Sequence, residues 1–303
     1  MIAKIFASDG QYGPSLRHAA AVVAFVGPFL LLLVMFQYVP VLTMLRDSLY
    51  SYTLLNPDRR FFVGFENYIT LFTDPDRRQS FAVTFGFATV VVAIIVPLAF
   101  LLAVYLNGRL PARALVRTII FLPVVTSAVV IATMWTFLLD PGNGLVNAML
   151  RSVGLAKLEF LTSKTQALPS IVLVVVWQQL GFATVLFLSG LQAIPREVEE
   201  VARVDGASPA QIVWYVTLPL LARTTLFVVV IMTVFCLQVF APALIMTGGG
   251  PEGTTNFIAY DIYQQAFSFQ QPGLASAISV VFMLIVMLIS VVQMRLLRTR
   301  WNY

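Results

Sequence analysis

Charged side chains are scarce in this sequence. Asp, Glu, Lys and Arg make up 11% of the 303 residues, whereas hydrophobic residues make up 59%. Soluble globular proteins carry about 25% charged residues, so this chain has too few charges to cover the surface of a water-soluble domain of its size. The composition therefore predicts a membrane protein.

Cysteines and nucleotide-binding motifs are also nearly absent. Cys236 is the single cysteine, which excludes an intrachain disulfide and a cysteine-rich metal cluster. No P-loop, with its glycine-rich turn followed by Lys and Ser or Thr, occurs in the chain. We therefore expect this chain to bind no cofactor or metal.

Six apolar stretches reach the length of about 20 residues that a helix needs to cross a bilayer. Backbone groups in lipid must be satisfied internally, and the stretches lack the alternation typical of barrel strands. We predict an all-α membrane protein with six transmembrane helices at 19–45, 82–106, 118–139, 168–190, 224–247 and 274–294. The transmembrane domain is then 19–296, between an N-terminal segment, 1–18, and a C-terminal tail, 297–303. The first span lacks a signal-peptide cleavage site and is expected to remain as an anchor.

Basic residues set the expected orientation, because cytoplasmic segments carry extra Lys and Arg. With the N-terminus inside, the inner segments hold 11 basic residues and the outer segments hold 8. The loop 107–117 has three Arg and no acid, whereas the loop after span five has Glu252 and Asp261 and no base. We expect an inner-membrane protein with both termini in the cytoplasm. Its net charge of +5 needs no nucleic-acid partner, because arginines facing lipid headgroups account for it.

The loop between spans four and five, residues 191–224, has the strongest local signals. Arg196 to Val204 contains no Gly or Pro and predicts about two helical turns, and Gly206 suits the left-handed end of a helix. Ser208 and Gln211 then form a capping-box pattern around Pro209 at the first helical position. The pattern predicts a helix–turn–helix hairpin. Taken alone, it leaves open an ordinary surface hairpin and a docking element for another protein.

The residues of this hairpin resemble the EAA loop of bacterial ABC importer permeases. The positions that match the family pattern are Glu200, Ala202, Asp205, Gly206, Ala207, Leu218 and Pro219. Val201 replaces an alanine of that pattern, and Arg223 stands where a second proline is common. The resemblance implies the type I ABC importer (MetI-like) permease fold, with a cytoplasmic coupling helix that sits in a cleft of the ATP-binding subunit. It implies this ATPase-coupling role for Glu197, Glu200, Ala202, Asp205, Gly206, Ala207 and Pro219.

Two segments expected on the outer side indicate which branch of this family the chain resembles. Residues 63–68, VGFENY, and the loop that begins with Gly248, Gly249, Gly250 and Pro251 are similar to elements of carbohydrate-type permeases, those of maltose and glycerol-3-phosphate importers. This resemblance implies the first of two permeases in such a system, a subunit that catalyses no reaction and leaves ATP hydrolysis to its partners. It implies as partners a second permease, two ATPase subunits that bind ATP and Mg, an extracytoplasmic solute-binding protein and membrane lipid. We expect the Gly-Gly-Gly-Pro segment to form a tight outer turn.

Ionisable residues are missing from the interior of every predicted span. Ion-coupled carriers usually place such residues there, so a secondary sugar carrier and a membrane-embedded enzyme stay only as alternatives. Sugars and polyols are held by amide groups and aromatic faces. We therefore predict a substrate path lined by Gln178, Phe182, Gln238 and Phe240. The same residues could instead pack helices together, with each hydrogen bond contributing about 0.6 kcal/mol.

Overall fold

The computed structural model describes residues 16–108 and 113–296. The predicted C-terminal tail, 297–303, and nearly all of the N-terminal segment, 1–18, lie outside the described residues. Arg109, one of the arginines in the basic loop 107–117, lies outside them as well.

Long helices account for four of the six predicted spans. The first span is formed by α1 (Leu16–Leu33), a π-helical segment (Val34–Tyr38) and α2 (Val39–Asp47). Spans two, four and six are α4 (Pro75–Asn107), α8 (Ala167–Gln192) and α14 (Pro272–Leu296). Residues 23–47 and these three helices are each long and apolar enough to cross a membrane. The apolar runs of the sequence therefore predicted these elements well.

The other two predicted spans are bent or interrupted. Span three consists of α5 (Arg113–Phe121), a 3₁₀ turn (Leu122–Val125) and α6 (Ala128–Leu138), with a bend of 101°. Span five begins as α12 (Ala222–Leu237), loses its helical form at residues 238–240 and includes a π-helical segment, Ala243–Thr247. The helix 209–220 is bent by 70° against α12. Within the described chain, four helices thus qualify as spans, or up to six if each bent pair counts as one.

Shorter elements connect the long helices. They are β1 (Tyr50–Thr53), β2 (Asn56–Phe62), α3 (Glu66–Thr73), α7 (Leu145–Ser152), a 3₁₀ turn (Phe160–Thr162), α9 (Arg196–Val204), α10 (Pro209–Gln211), a π-helical segment (Ile212–Thr217), α11 (Leu218–Leu220), α13 (Ile258–Tyr263) and a π-helical segment (Gln264–Ser268). The two strands form an antiparallel hairpin in which Tyr50 pairs with Phe62. This hairpin is a small departure from the all-α prediction.

The core lies between α4 and α8, which share the most extensive helix contact, and α12 packs against both. Val91 and Ile95 of α4 and Phe187 of α8 are fully buried there. Gly181 of α8 lets α5 approach closely, because a Cβ at this position would overlap the carbonyl oxygen of Ile120. A side chain as small as that of alanine would therefore push the two helices apart.

The VGFENY element closes the end of the first span that the predicted orientation places outside; we call this end of the molecule the outer end. The Asn67 amide donates hydrogen bonds to the carbonyl oxygens of Ser48 (2.8 Å) and Tyr50 (3.1 Å). The hydroxyls of Ser48 and Tyr68 lie 2.7 Å apart. A Cβ at Gly273, near the start of α14, would overlap the Tyr50 carbonyl oxygen. These contacts fix the end of span one against the beginning of span six.

Asp47 forms hydrogen bonds with several polar groups beside this junction. Its carboxylate accepts hydrogen bonds from Arg46 (2.9 Å), Arg60 (3.0 Å) and the Tyr52 hydroxyl (2.8 Å). Partial burial and the hydrogen bond to Asp47 raise the pKa of Tyr52 above its ordinary value. The Tyr52 hydroxyl, which donates to Asp47, is therefore even less prone to ionise than that of an ordinary tyrosine.

Replacing Gly181 with alanine should destabilise the protein, because the new methyl group meets backbone atoms that cannot move aside. We expect a loss of about 1–3 kcal/mol in stability, the usual cost of overpacking. The measurement is thermal unfolding of the detergent-solubilised protein. Gly86→Ala in α4 is the matched control, since a Cβ at Gly86 meets nothing within 4 Å. Equal unfolding temperatures for the two variants would contradict the close approach.

Candidate functional site

The hairpin predicted from residues 191–224 is present, and hydrogen bonds fix its turn. Helix α9 ends in a Schellman motif, in which the N–H of Gly206 bonds to the Arg203 carbonyl oxygen and the N–H of Ala207 to that of Ala202, both at 3.0 Å. Gly206 has a φ of +82°, a left-handed conformation that residues with a side chain rarely adopt. The Ala-x-x-Asp-Gly-Ala spacing of the sequence is therefore the spacing of this helix end.

The second arm of the hairpin begins with the predicted capping box. The N–H of Ser208 donates to Gln211 Oε1 at 2.7 Å, and the N–H of Gln211 donates to Ser208 Oγ at 3.4 Å. Helix α10 then continues without interruption through the π-helical segment into α11. Both arms and the turn between them are thus held by local hydrogen bonds, which is why the sequence predicted them.

An unusual mixture of acidic and apolar side chains is exposed on the hairpin. Glu197, Glu200 and Asp205 are all exposed. Val204 is 88% exposed and Tyr215 is 78% exposed. The exposed ion pair of Arg203 with Glu199, at 3.5 Å, contributes little to stability. Of the other predicted coupling residues, Ala202 and Ala207 are partly buried at the turn and Pro219 is exposed.

The base of the hairpin is packed firmly against the helix bundle. Ile212 and Leu221 are 5% and 1% exposed. The ring of Trp214 lies 6.4 Å from that of Phe100 in α4. A Cβ at Gly190, near the end of α8, would overlap the side chain of Thr224 in α12. The hairpin is therefore in direct contact with α4, α8 and α12.

The four predicted path residues fall in two environments. Gln178 lies in α8 and is buried, and Phe182, one helical turn further on, is partly buried against the core. Gln238 and Phe240 lie instead at the interruption of span five, where Gln238 is exposed and Phe240 is partly buried. The structure thus brings Gln238 and Phe240 to one break in the chain and leaves Gln178 and Phe182 within a continuous helix.

The Gly-Gly-Gly-Pro segment forms the tight turn expected of it. Gly248 and Gly249 have φ values of +58° and +78°. Thr255 holds the turn closed, since its hydroxyl donates to the Gly250 carbonyl oxygen at 2.7 Å and lies 2.7 Å from the Thr247 hydroxyl. A Cβ at Gly249 would also meet the ring of Tyr260, so this glycine permits a close approach as well as a left-handed conformation.

Polar contacts join the residues that follow this turn to the outer end of α4. Gln79 donates to the Glu252 carbonyl oxygen at 3.1 Å, and Asn256 donates to Ser80 Oγ at 2.9 Å. Glu252 also forms an exposed ion pair with Lys164, from the segment that precedes α8. The three outer segments of the chain are therefore tied together at one end of the bundle.

A buried ion pair between Arg77 and Asp261 lies at the centre of this outer end. Their side chains are 11% and 1% exposed and in direct hydrogen-bonded contact. Asp74 lies 3.5 Å from Arg77 Nε. The Gln265 amide, with its oxygen turned towards Arg77, accepts two further hydrogen bonds at 2.8 and 3.0 Å. This network holds α13 against the beginning of α4.

Sequence reasoning missed the Arg77–Asp261 pair. The partners are 184 residues apart in the chain, so no periodicity or spacing joins them. One signal was available: the outer loop after span five carries acids and no base, and a buried carboxylate requires a cationic partner from elsewhere.

The comparisons with known proteins agree with one another. Residues 95–303 match the family described as binding-protein-dependent transport system inner membrane component. The probable ABC transporter permease protein YurN of Bacillus subtilis is 33% identical over 274 residues, which cover 89% of this chain and 93% of that protein. The sn-glycerol-3-phosphate transport system permease protein UgpA of Yersinia pestis is 33% identical over 80% of this chain and 82% of its own length.

A further relative and a solved structure extend the comparison. The trehalose/maltose transport system permease protein MalF of Thermococcus litoralis is 31% identical over 90% of this chain and 92% of its own length. A chain of the crystal structure of a bacterial alginate ABC transporter, in complex with an alginate pentasaccharide-bound periplasmic protein, matches with a TM-score of 0.82. The match covers 93% of this chain and 96% of that chain at 23% identity, which supports the same fold.

Removing the charge of Asp261 should destabilise the outer end strongly. Asp261→Asn leaves the Arg77 guanidinium buried without its carboxylate, and we expect a loss of about 3–5 kcal/mol, measured as a lower unfolding temperature in detergent. The double variant Arg77→Met/Asp261→Leu should recover part of this loss, because it removes both charges. Glu199→Gln, in an exposed ion pair, is the control and should change stability by less than about 1 kcal/mol. An Asp261→Asn effect as small as that of the control would contradict a buried pair.

Proposed function

Since this chain belongs to the family of binding-protein-dependent transport system inner membrane components, we propose that it is a permease subunit of an importer driven by ATP hydrolysis in separate ATPase subunits. Family membership makes the chain a multi-pass, non-catalytic membrane component of an ABC importer. Its close relatives are permeases of this kind, which favours the importer over an ion-coupled carrier or a membrane enzyme.

The observation that carries the proposal is the 191–224 hairpin. Its turn is rigid, its base is packed against α4, α8 and α12, and its outward surface combines acids with exposed valines and a tyrosine. Exposed apolar side chains on a stiff projection are typical of a surface that another protein covers. We assign this surface to an ATPase subunit, with Glu197, Glu200, Asp205 and Gly206 at the contact.

The proposed orientation follows from the same assignment. An ATPase partner lies in the cytoplasm, so the hairpin lies there as well. The segments joined by Gln79, Glu252 and Lys164 then lie outside, each separated from the hairpin by one or three crossings. The prediction that both termini are cytoplasmic agrees with six crossings, two of them made by the bent segments.

The interruption at residues 238–240 supports a substrate path beside Gln238 and Phe240. Non-helical backbone at membrane depth is tolerated where it is covered by protein or lines a water-filled cavity. The π-helical segment after this break also contacts α6, which follows the break of span three at 126–127. We therefore propose that the path runs past these breaks and is completed by a second, homologous permease.

The proposed importer also requires partners outside the membrane. An extracytoplasmic solute-binding protein delivers the solute to the outer loops, and two ATPase subunits bind ATP and Mg and drive the cycle. Relatives named for sn-glycerol 3-phosphate and for trehalose and maltose support a sugar, a polyol or a glycerol-phosphate-like compound as the solute.

Replacing Gly206 with proline should uncouple transport from ATP hydrolysis. Proline fixes φ near −65° and lacks the N–H that bonds to Arg203, so the turn cannot form with its φ of +82°. We expect a normal amount of protein in the membrane, continued ATP hydrolysis, and solute uptake lowered by roughly tenfold or more, equivalent to about 1.4 kcal/mol of lost coupling. Uptake and hydrolysis are measured with the assembled importer in liposomes.

Gly154→Pro is the matched control for this experiment. Gly154 also ends a helix, has a φ of +77°, and donates its N–H to the Arg151 carbonyl oxygen at 3.1 Å. The substitution therefore imposes the same backbone strain in an outer segment, away from the proposed ATPase contact. Wild-type uptake by Gly206→Pro, or equal loss of uptake in both variants, would overturn the assignment.

A further inference from the structure

A polar pocket of about 360 Å³ opens at the outer end of the molecule, between the first turn of α4 and the segment after the Gly-Gly-Gly-Pro turn. Its polar lining comes from Asp76, Arg77, Gln79, Glu252, Asn256 and Gln264, and Phe269 adds an aromatic face. The volume lies within the range of small-molecule sites. We call this cavity the outer pocket.

The charges of the outer pocket are already compensated or are negative. Arg77 is neutralised by its buried contact with Asp261, and Glu252 forms an ion pair with Lys164. Asp76 adds a further negative charge. A phosphate or carboxylate solute would therefore find no available cation here, whereas the amides of Gln79 and Gln264 can each donate and accept hydrogen bonds.

Hydrogen-bonding capacity remains unused at this place. The Asn256 side chain donates to Ser80, but its buried Oδ1 has no partner among the residues the structure describes. This oxygen is shielded from solvent, so the amides that a solute in the pocket can reach are those of Gln79 and Gln264. Gln264 begins the π-helical segment 264–268, and short π-helical interruptions are frequent at functional sites.

A row of aromatic rings leads from the outer pocket towards the break in span five. Gln264 donates to the Tyr260 hydroxyl at 3.1 Å. The Tyr260 ring stacks on that of Tyr263, with centroids 6.5 Å apart, and both rings contact Phe240, at 6.4 and 5.4 Å. Aromatic faces and amides together are the groups that hold sugars. Packed rings thus link Gln264, which lines the outer pocket, to Phe240, the residue proposed to line the path.

We propose that the outer pocket is a contact site for a neutral polyhydroxylated solute, a sugar or polyol, through which the solute passes before it reaches Gln238 and Phe240. This inference rests on the proposed importer function and narrows its solute class, because the charge of the pocket disfavours phosphorylated and acidic solutes.

The test uses the assembled importer in lipid nanodiscs, without its solute-binding protein, and the variant Phe269→Trp as a fluorescent reporter. Maltose and sorbitol are the neutral probes, and glycerol 3-phosphate is the anionic probe. We expect a saturable fluorescence change with at least one neutral probe and none with glycerol 3-phosphate. Adding Gln264→Ala should weaken the apparent affinity by about fivefold, the effect of losing one hydrogen bond.

Gln271→Ala in the same reporter background is the matched control. Gln271 is an exposed glutamine of the same outer surface that does not line the pocket, and its variant should keep the affinity of the reporter protein. The inference is wrong if neither neutral probe gives a saturable change, if glycerol 3-phosphate gives the stronger response, or if the Gln264 and Gln271 variants behave alike.

Failure of the proposed function would be visible separately. The importer with unaltered permease should co-purify with its ATPase subunits, and its solute-binding protein should stimulate ATP hydrolysis. Absence of both results would overturn the function itself. Stimulated hydrolysis together with a silent reporter would overturn only the outer pocket.

Discussion

Backbone hydrogen bonding in a medium without water is the constraint on which this structure depends. In lipid every N–H and C=O needs a partner within the protein, so the apolar runs of the sequence become helices. The same constraint gives meaning to the two places where helices stop inside apolar runs, at 126–127 and 238–240. Such breaks are stable in a membrane only when protein or enclosed water covers them, which is why we propose a substrate path beside them.

The stability of the outer end depends instead on the pairing of its buried charges. Arg77 and Asp261 bring together the start of α4 and the loop after span five, and each would be costly to bury without the other. The hydrogen bonds of Gln79 and Asn256 add neutral contacts between the same two segments. These contacts compensate the buried charges of the outer end, and Gln79, Gln264 and Phe269 remain on the lining of the outer pocket.

The sequence was informative where structure is local. The hairpin turn could be predicted because its Schellman motif and capping box involve residues within five positions of one another. Four spans could be predicted from the length of their apolar runs. The bends and breaks could be predicted less well: Pro123 lies in the 3₁₀ turn of span three, whereas α4 continues through Pro97, because neighbouring helices decide whether a proline breaks a helix.

The parts of the structure that the sequence did not predict depend on contacts between residues that are far apart in the chain. Two examples are the Arg77–Asp261 pair and the approach of Gly181 to Ile120. Both arise only when helices pack, so the hydrophobicity pattern of the sequence does not predict them. Contacts of this kind hold span five at its two ends. Its N-terminal end is held through Leu221 and Thr224, the loop that follows it is bonded to α4, and residues 238–240 between them leave the α-helical form. A break between two held ends is the place where span five can bend, so the proposed ATPase contact and the proposed substrate path beside Gln238 and Phe240 lie on one bent span.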